Sequence, residues 1–286
     1  MVNPREMLDI IELIFYVPAL IISIFVSARH GFGRQLGWIF LCILSIIRLV
    51  GAVTGIASIR NPSEGLFEAT FITNSAGLSP LLLAMLGMLK RVHDGMPIGK
   101  GFSPRLFNSI HLPTMAALVL AIIGGTKSFN PDIDTQNTGR MLIKVAVVLF
   151  LVVLIVLAMI ALVTFSKIGH VVHGERKLVF AAVLSLPFLF VRILYSIIAA
   201  FSSPNSKVFS LVSDTKTVVA VQALMATAEE FVVATIYLLT GLLTPVIARS
   251  QVRRQGPEGY QVPSNQGRVV YHAEDSHSMM RMNRRD

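Results

Sequence analysis

The sequence predicts an all-α, polytopic membrane protein with seven transmembrane helices, and three observations predict it. The chain has 286 residues, of which 53% are hydrophobic and only 14% charged, against about 25% charged in a soluble domain. Seven apolar runs are each long enough to cross the hydrocarbon as helices, which takes about 20 residues, and none has the alternation of an outer-membrane strand. Inside those runs sit a few ionisable residues, chiefly Arg48, Arg192, Glu229 and Glu230. A charge at that depth costs on the order of 2.5 to 3.5 kcal/mol even on the lenient insertion scale, so these groups need partners. A bundle closed around them supplies partners.

The net charge of +9 points to lipid and not to nucleic acid, because the basic residues collect in loops and tail beside apolar runs. The single cysteine, Cys42, lies inside an apolar run, so no intrachain disulfide and no cysteine metal cluster can form. Met1 to Met7 is no basic leader region, and no cleavage site followed by a soluble domain comes after the first run, which therefore reads as a mature helix.

The runs are Leu8 to Ala28, Gly37 to Ile59, Ala69 to Leu89, Phe107 to Gly125, Met141 to Phe165, Leu178 to Phe201 and Thr217 to Ile247. Residues 1–248 thus form one helical domain, and 249–286 form a polar, basic tail expected to be disordered. Loops 29–36, 90–106 and 166–177 together with the tail hold 16 of the 25 Lys and Arg, against seven on the opposite side. The positive-inside rule then sets the N-terminus in the lumen or outside and the tail in the cytosol. The compartment expected is the endoplasmic reticulum or another endomembrane.

In the first run Asp9 and Glu12 lie in the opening turns, where a helix N-terminus favours negative charge. Asp9 reads as a capping or interface carboxylate, whereas Glu12 is deep enough to face a cavity. Pro18 predicts a kink, and Tyr16 adds a phenol. Arg48 lies eleven residues after Gly37, about 16 Å along the second helix and too deep to snorkel. Gly51 and Gly55 form a G-x-x-x-G spacing that lets a neighbour approach.

The third run opens with Thr70, Thr73, Asn74 and Ser75, which suits either a vestibule or interhelical hydrogen bonding, and Ser79-Pro80 marks a kink. Its following loop, KRVHDGMPIGKGFSPR, lacks the phosphate-binding pattern of a P-loop. The fifth run is so uniformly apolar that it reads as scaffold facing lipid. His170 and His173 have helical i, i+3 spacing without a third ligand nearby, so no metal is expected.

In the sixth run Arg192 and Tyr195 share a face, and in the seventh Gln222 and Thr227 precede the glutamates while Tyr237 follows them. Adjacent helical residues differ by about 100°, so Glu229 and Glu230 cannot both point along one radius. One faces Arg48 or Arg192, and the other a cavity or a different helix.

Paired carboxylates repel, so one can be held ionised by an arginine while its neighbour keeps a proton. That combination suits acid-initiated cyclisation of a lipid-soluble isoprenoid. The protonated carboxyl would protonate an epoxide or alkene, and a carboxylate with Tyr16, Tyr195 or Tyr237 would steady the cation away from water. Glu12, Glu229, Glu230, Arg48 and Arg192 are the candidate catalytic residues, with Tyr16, Asn74, Tyr195, Gln222 and Tyr237 as substrate-binding residues. No cofactor is called for, and no diphosphate-binding DDxxD motif is present.

DIIELIFYVPALIIS, WIFLCILSIIRLVGAVTGI, LPFLFVRILYSI and AEEFVVATIYLLTG together resemble fungal seven-helix integral membrane proteins, some of them similar to the membrane-bound terpene cyclases of meroterpenoid pathways. The resemblance implies a metal-independent isomerase of secondary metabolism acting on a hydrophobic small molecule. Three other classes stay open. A purely structural charge network is the first. A seven-helix receptor is the second, although no lysine follows Lys216, which excludes a retinal Schiff base there. The third is a lipid or metabolite translocator, which the prolines at 18, 80, 187 and 245 would suit.

Overall fold

The structure is a computed structural model that describes residues 3–31, 36–96, 101–202 and 216–245. The described residues are all-helical, without strands, and seven spans are long and apolar enough to cross a membrane. The tail read at 249–286, the seventh run's end at Ile247 and the loop charges Lys100 and Lys207 lie outside the described residues.

Helix α1 covers Pro4–His30, with Asn3 accepting from the Arg5 amide as its N-cap and Pro4 in the first turn, where its missing N–H costs nothing. It continues through Pro18 without interruption. α2 is Leu36–Arg60 and returns antiparallel to it. Along this contact Gly55 faces the Asp9 carboxylate of α1, which is buried as an interface group, while Gly51 faces Thr73 of the third span.

The third span is two helices. α3 (Glu64–Ala76) and α4 (Leu78–Asp94) meet at Gly77, three residues before the Pro80 at which a kink was expected. α5 is Pro104–Ser128 and α6 is Ile133–Ser166. α6 begins eight residues ahead of the apolar run because Asp132 caps it, accepting from the Thr135 amide at 3.0 Å and its hydroxyl at 2.6 Å. Those hydrogen bonds, the hydroxyl's foremost, hold the Asp132 carboxyl below the usual carboxylate range. α5 and α6 touch backbone to backbone at Gly124 and Gly139, where a methyl on Gly139 would stand 2.8 Å from the Gly124 carbonyl oxygen. α7 is Arg176–Phe201.

The last span is interrupted too. α8 (Lys216–Gln222) passes through a π-helical turn at Ala223–Ala228 into α9 (Glu229–Leu243). A π turn inserts one residue into the α-helical count and rotates everything after it by about 100°.

Side-chain contacts show which helix ends lie together. Arg60 reaches Glu6 at 3.5 Å, Arg5 reaches Gln222, Phe71 meets Phe129, and Lys144 lies over Phe201, which gathers the start of α1 and the ends of α2, α5 and α7 on one face, here the N-face. The opposite C-face is tied by a second polar cluster. Arg91 of α4 pairs with Glu175 at 3.2 Å, donates to the Pro245 carbonyl at 2.9 Å and lies 3.4 Å from His30 Nδ1, while His30 Nε2 meets the Gly241 carbonyl at 2.9 Å. Arg29 and Lys177 donate to the Leu242 and Leu243 carbonyls. The end of α9 thus has its open carbonyls covered by basic groups from α1, α4 and α7, where the helix dipole favours positive charge.

Candidate functional site

The mid-membrane charges meet at one carboxylate. Arg48 lies twelve residues into α2 and Glu230 fourteen after Lys216, each roughly 18 to 21 Å along its span. Arg48 binds Glu230 through both Nε and Nη2, one nitrogen to each carboxylate oxygen, in the bidentate fork that suits a guanidinium. Tyr16 of α1 donates its hydroxyl to Glu230 Oε1 at 2.5 Å, and Arg192 of α7 lies with Nε 3.7 Å from Oε2. Arg48, Arg192 and Glu230 are 4%, 5% and 1% exposed. Such burial is tolerable only because the opposite charges lie together and most of their hydrogen bonds are met.

Most of the remaining partners come from interrupted helices. Arg48 Nη1 donates to Asn74 Oδ1 at 3.0 Å, and Arg192 donates to the Asn74 carbonyl at 3.3 Å and to Ser196 at 3.2 Å. Glu12 accepts from Thr227, within the π turn, at 3.1 Å. The guanidinium of Arg48 lies against Gly77, so the break in the third span is where this side chain passes. Phe231 stacks on Phe15 and meets the edge of Tyr16, walling the carboxylate with rings.

One cavity adjoins the cluster, on its N-face side. Its volume is about 50 Å³, and its polar wall includes Arg48, Asn74, Arg192, Tyr195, Gln222 and Thr227, with the Ser75 and Ser196 hydroxyls beside them. Ala121, Phe150 and Ala200 are among its apolar residues. At Gln222 the Arg5 side chain donates to the amide oxygen at 3.1 Å, at the N-face end of the cavity. Among the described residues no three His, Cys, Asp or Glu side chains are arranged to hold a metal ion.

Of the residues singled out in the sequence, Glu230, Arg48, Arg192, Tyr16 and Glu12 come together, and Asn74, Tyr195 and Gln222 reach the cavity. Two do not. Glu229 is half-buried, and its side chain makes no hydrogen bond or ion pair with any described residue. Tyr237 is fully buried in the main core, bonded to Ser185 at 2.9 Å, and does not line the cavity. α6 is more than scaffold, since Ile143, Val147 and Phe150 wall the cavity. The polar start of the third span divides between both readings: Thr70 bonds Thr54 across helices, whereas Asn74 and Ser75 face the cavity.

The π turn decides which glutamate points inward. Gln222 faces the cavity, and an unbroken helix would return to that face seven residues later, at Glu229. The extra residue of the turn hands that position to Glu230. Glu229→Gln is accordingly expected to leave stability within about 0.5 kcal/mol of the parent, measured by SDS-titrated unfolding in detergent micelles, while Glu230→Gln unfolds far earlier in the same titration.

Among the described residues these features define an all-helical membrane protein of seven spans, with a buried ion-pair cluster at mid-depth beside a small cavity. A family model described as a domain of unknown function (DUF7702) matches residues 2–246, and the chain belongs to that family. No curated protein and no solved structure matches the chain.

Proposed function

We propose that the protein is a lipid or metabolite translocator that takes the polar head of an amphipathic small molecule into the cavity beside Arg192. The observation that carries this reading is the wall of that cavity, where a buried ion-pair cluster meets both interrupted spans. Broken helices around a mid-membrane polar site are the usual means of binding a polar group inside a bilayer and of moving around it. The excess of Lys and Arg in the other face's loops supports a lumenal or external N-face, from which the cavity would load.

Volume favours this reading over cyclisation. A water needs about 10 to 15 Å³ of such space, so about 50 Å³ takes a head group of a few atoms. Pockets for drug-sized ligands run to roughly 300 to 1,000 Å³, and a folded isoprenoid would need α5, α6 and α7 to part. Glu230 is moreover fully engaged by Arg48 and Tyr16, which suits an ionised carboxylate and not a proton donor. A cyclase of the meroterpenoid type is the second reading, favoured by Glu12, a buried carboxyl hydrogen-bonded to the cavity-lining Thr227.

The test fills the cavity. Ala200→Phe adds a ring at a half-buried position of the wall. Parent and variant are reconstituted in vesicles with a prenylated aromatic epoxide or a long-chain lipid amphiphile, then assayed for movement between leaflets and for products by mass spectrometry. Movement in the parent, lost in the variant with the compound recovered unchanged, is the expected result. A cyclised isomer of unchanged mass would transfer the site to the cyclase reading, and equal behaviour of parent and variant would remove the cavity from either function.

A further inference from the structure

We infer that the group seated in the cavity is a carboxylate at the end of a long apolar chain, with Arg192 as its counter-ion. The inference rests on the binding role proposed above and names its ligand.

The two arginines of the cluster differ in what they hold. Arg48 spends its guanidinium on Glu230 and Asn74. The hydrogen-bond partners of Arg192 are both neutral, the Ser196 hydroxyl and the Asn74 carbonyl, and its Nε makes no hydrogen bond among the described residues. The nearest carboxylate oxygen stays at 3.7 Å, because Arg48 and Tyr16 already occupy Glu230. A buried cation with spare N–H groups on a cavity wall is matched by an anion placed in that cavity.

The two amides of the wall are also arranged to donate, while the Ser75, Ser196 and Thr227 hydroxyls give their protons to the Phe71 carbonyl, the Arg192 carbonyl and Glu12. Asn74 gives its side-chain oxygen to Arg48 and Gln222 gives its own to Arg5, which leaves both amide NH2 groups as donors. Among the described residues no carboxylate lines the cavity, since Glu230 and Glu12 lie behind Arg48 and Thr227. An ammonium head would meet guanidinium and amide hydrogens, and an alcohol would leave most donors unmet. The volume of about 50 Å³ suits a planar carboxylate, the smallest common anionic head. Ile143, Val147 and Ala200 supply apolar wall beside the polar groups, which a hydrocarbon chain attached to the head would meet.

The experiment uses native mass spectrometry of the full chain released from nanodiscs, after equilibration with hexadecanoate, hexadecanol, hexadecylamine or butyrate. Hexadecanoate is expected to form a one-to-one adduct at least tenfold more abundant than either neutral or cationic analogue. Arg192→Gln should lose it by at least tenfold, and Arg192→Lys, which keeps the charge, should retain part of it. Equal adducts with hexadecanol would overturn the anion while leaving the binding role intact. Butyrate displacing hexadecanoate at equal concentration would overturn the long chain. No adduct with any amphiphile would sink the binding role itself, and the comparison of ligands on the parent holds even if Arg192→Gln does not fold.

Discussion

Replacing Arg48 by methionine is expected to lower the unfolding free energy by about 3 kcal/mol, the lower end of the 3 to 5 kcal/mol typical when one partner of a buried pair is removed. The lower end applies because Arg192, 3.7 Å away, can close on the abandoned carboxylate, and Tyr16 still donates to it. The apolar side chain preserves the packing of α2, so the loss reports the stranded Glu230 and not a cavity. Glu230→Gln strands Arg48 in the same way, and the double variant should cost less than the two singles added together. A positive coupling of about 1 to 3 kcal/mol is expected from the cycle, read from SDS-titrated unfolding in micelles. Additive losses would mean that the two side chains do not depend on each other.

Gly77→Ala is the second large effect. The backbone at Gly77 is right-handed, with φ of −61°, so alanine meets no backbone strain there. The added methyl would instead stand 2.5 Å from Arg48 Nη2 and 3.0 Å from Cζ. A free guanidinium would swing aside, but this one is pinned through two bonds to Glu230 and one to Asn74. Overpacking of this kind costs about 1 to 3 kcal/mol. Most of that cost should disappear in an Arg48→Met background, since the methyl then faces a flexible side chain with no fixed partners. A Gly77→Ala penalty unchanged by removing Arg48 would place the requirement for glycine in the helix break itself.

Much of the architecture can be read from the chain because hydrocarbon imposes it. A run of about 20 apolar residues has few alternatives to a membrane helix, and all seven spans fall where the apolar runs lie. The same logic makes Arg48, Arg192 and a glutamate conspicuous and predicts that they meet. What hydropathy does not carry is helical phase. Glu229 and Glu230 are equal in any apolar window, and the π turn that separates them involves Ala223–Ala228, an ordinary helical sequence. Nothing there announces a π turn short of the requirement that Gln222 and one glutamate both face inward.

Two other features are legible only in part. The break at Gly77 follows from the passage of Arg48, a tertiary contact, whereas Pro80 fits into the first turn of α4, where a missing N–H is tolerated. Arg29, Arg91 and Lys177 count as interfacial charges in any positive-inside tally, yet they cover the exposed carbonyls at the end of α9. A signal was available: the final span ends at Thr244-Pro245 without a capping glycine, so its last carbonyls need donors from elsewhere.

The most direct test of the account is whether the space beside Arg192 is a polar cavity that an amphiphile can occupy. In a Cys42→Ser background, single cysteines are placed at Ala226, on the cavity wall, and at Ala234, buried on the same span but away from it. Each is reacted with a small charged methanethiosulfonate in vesicles. The account predicts that the cysteine at 226 is modified, that the one at 234 is not, and that hexadecanoate slows the first reaction. Equal rates at both positions, or a reaction at 226 that no amphiphile slows, would contradict it.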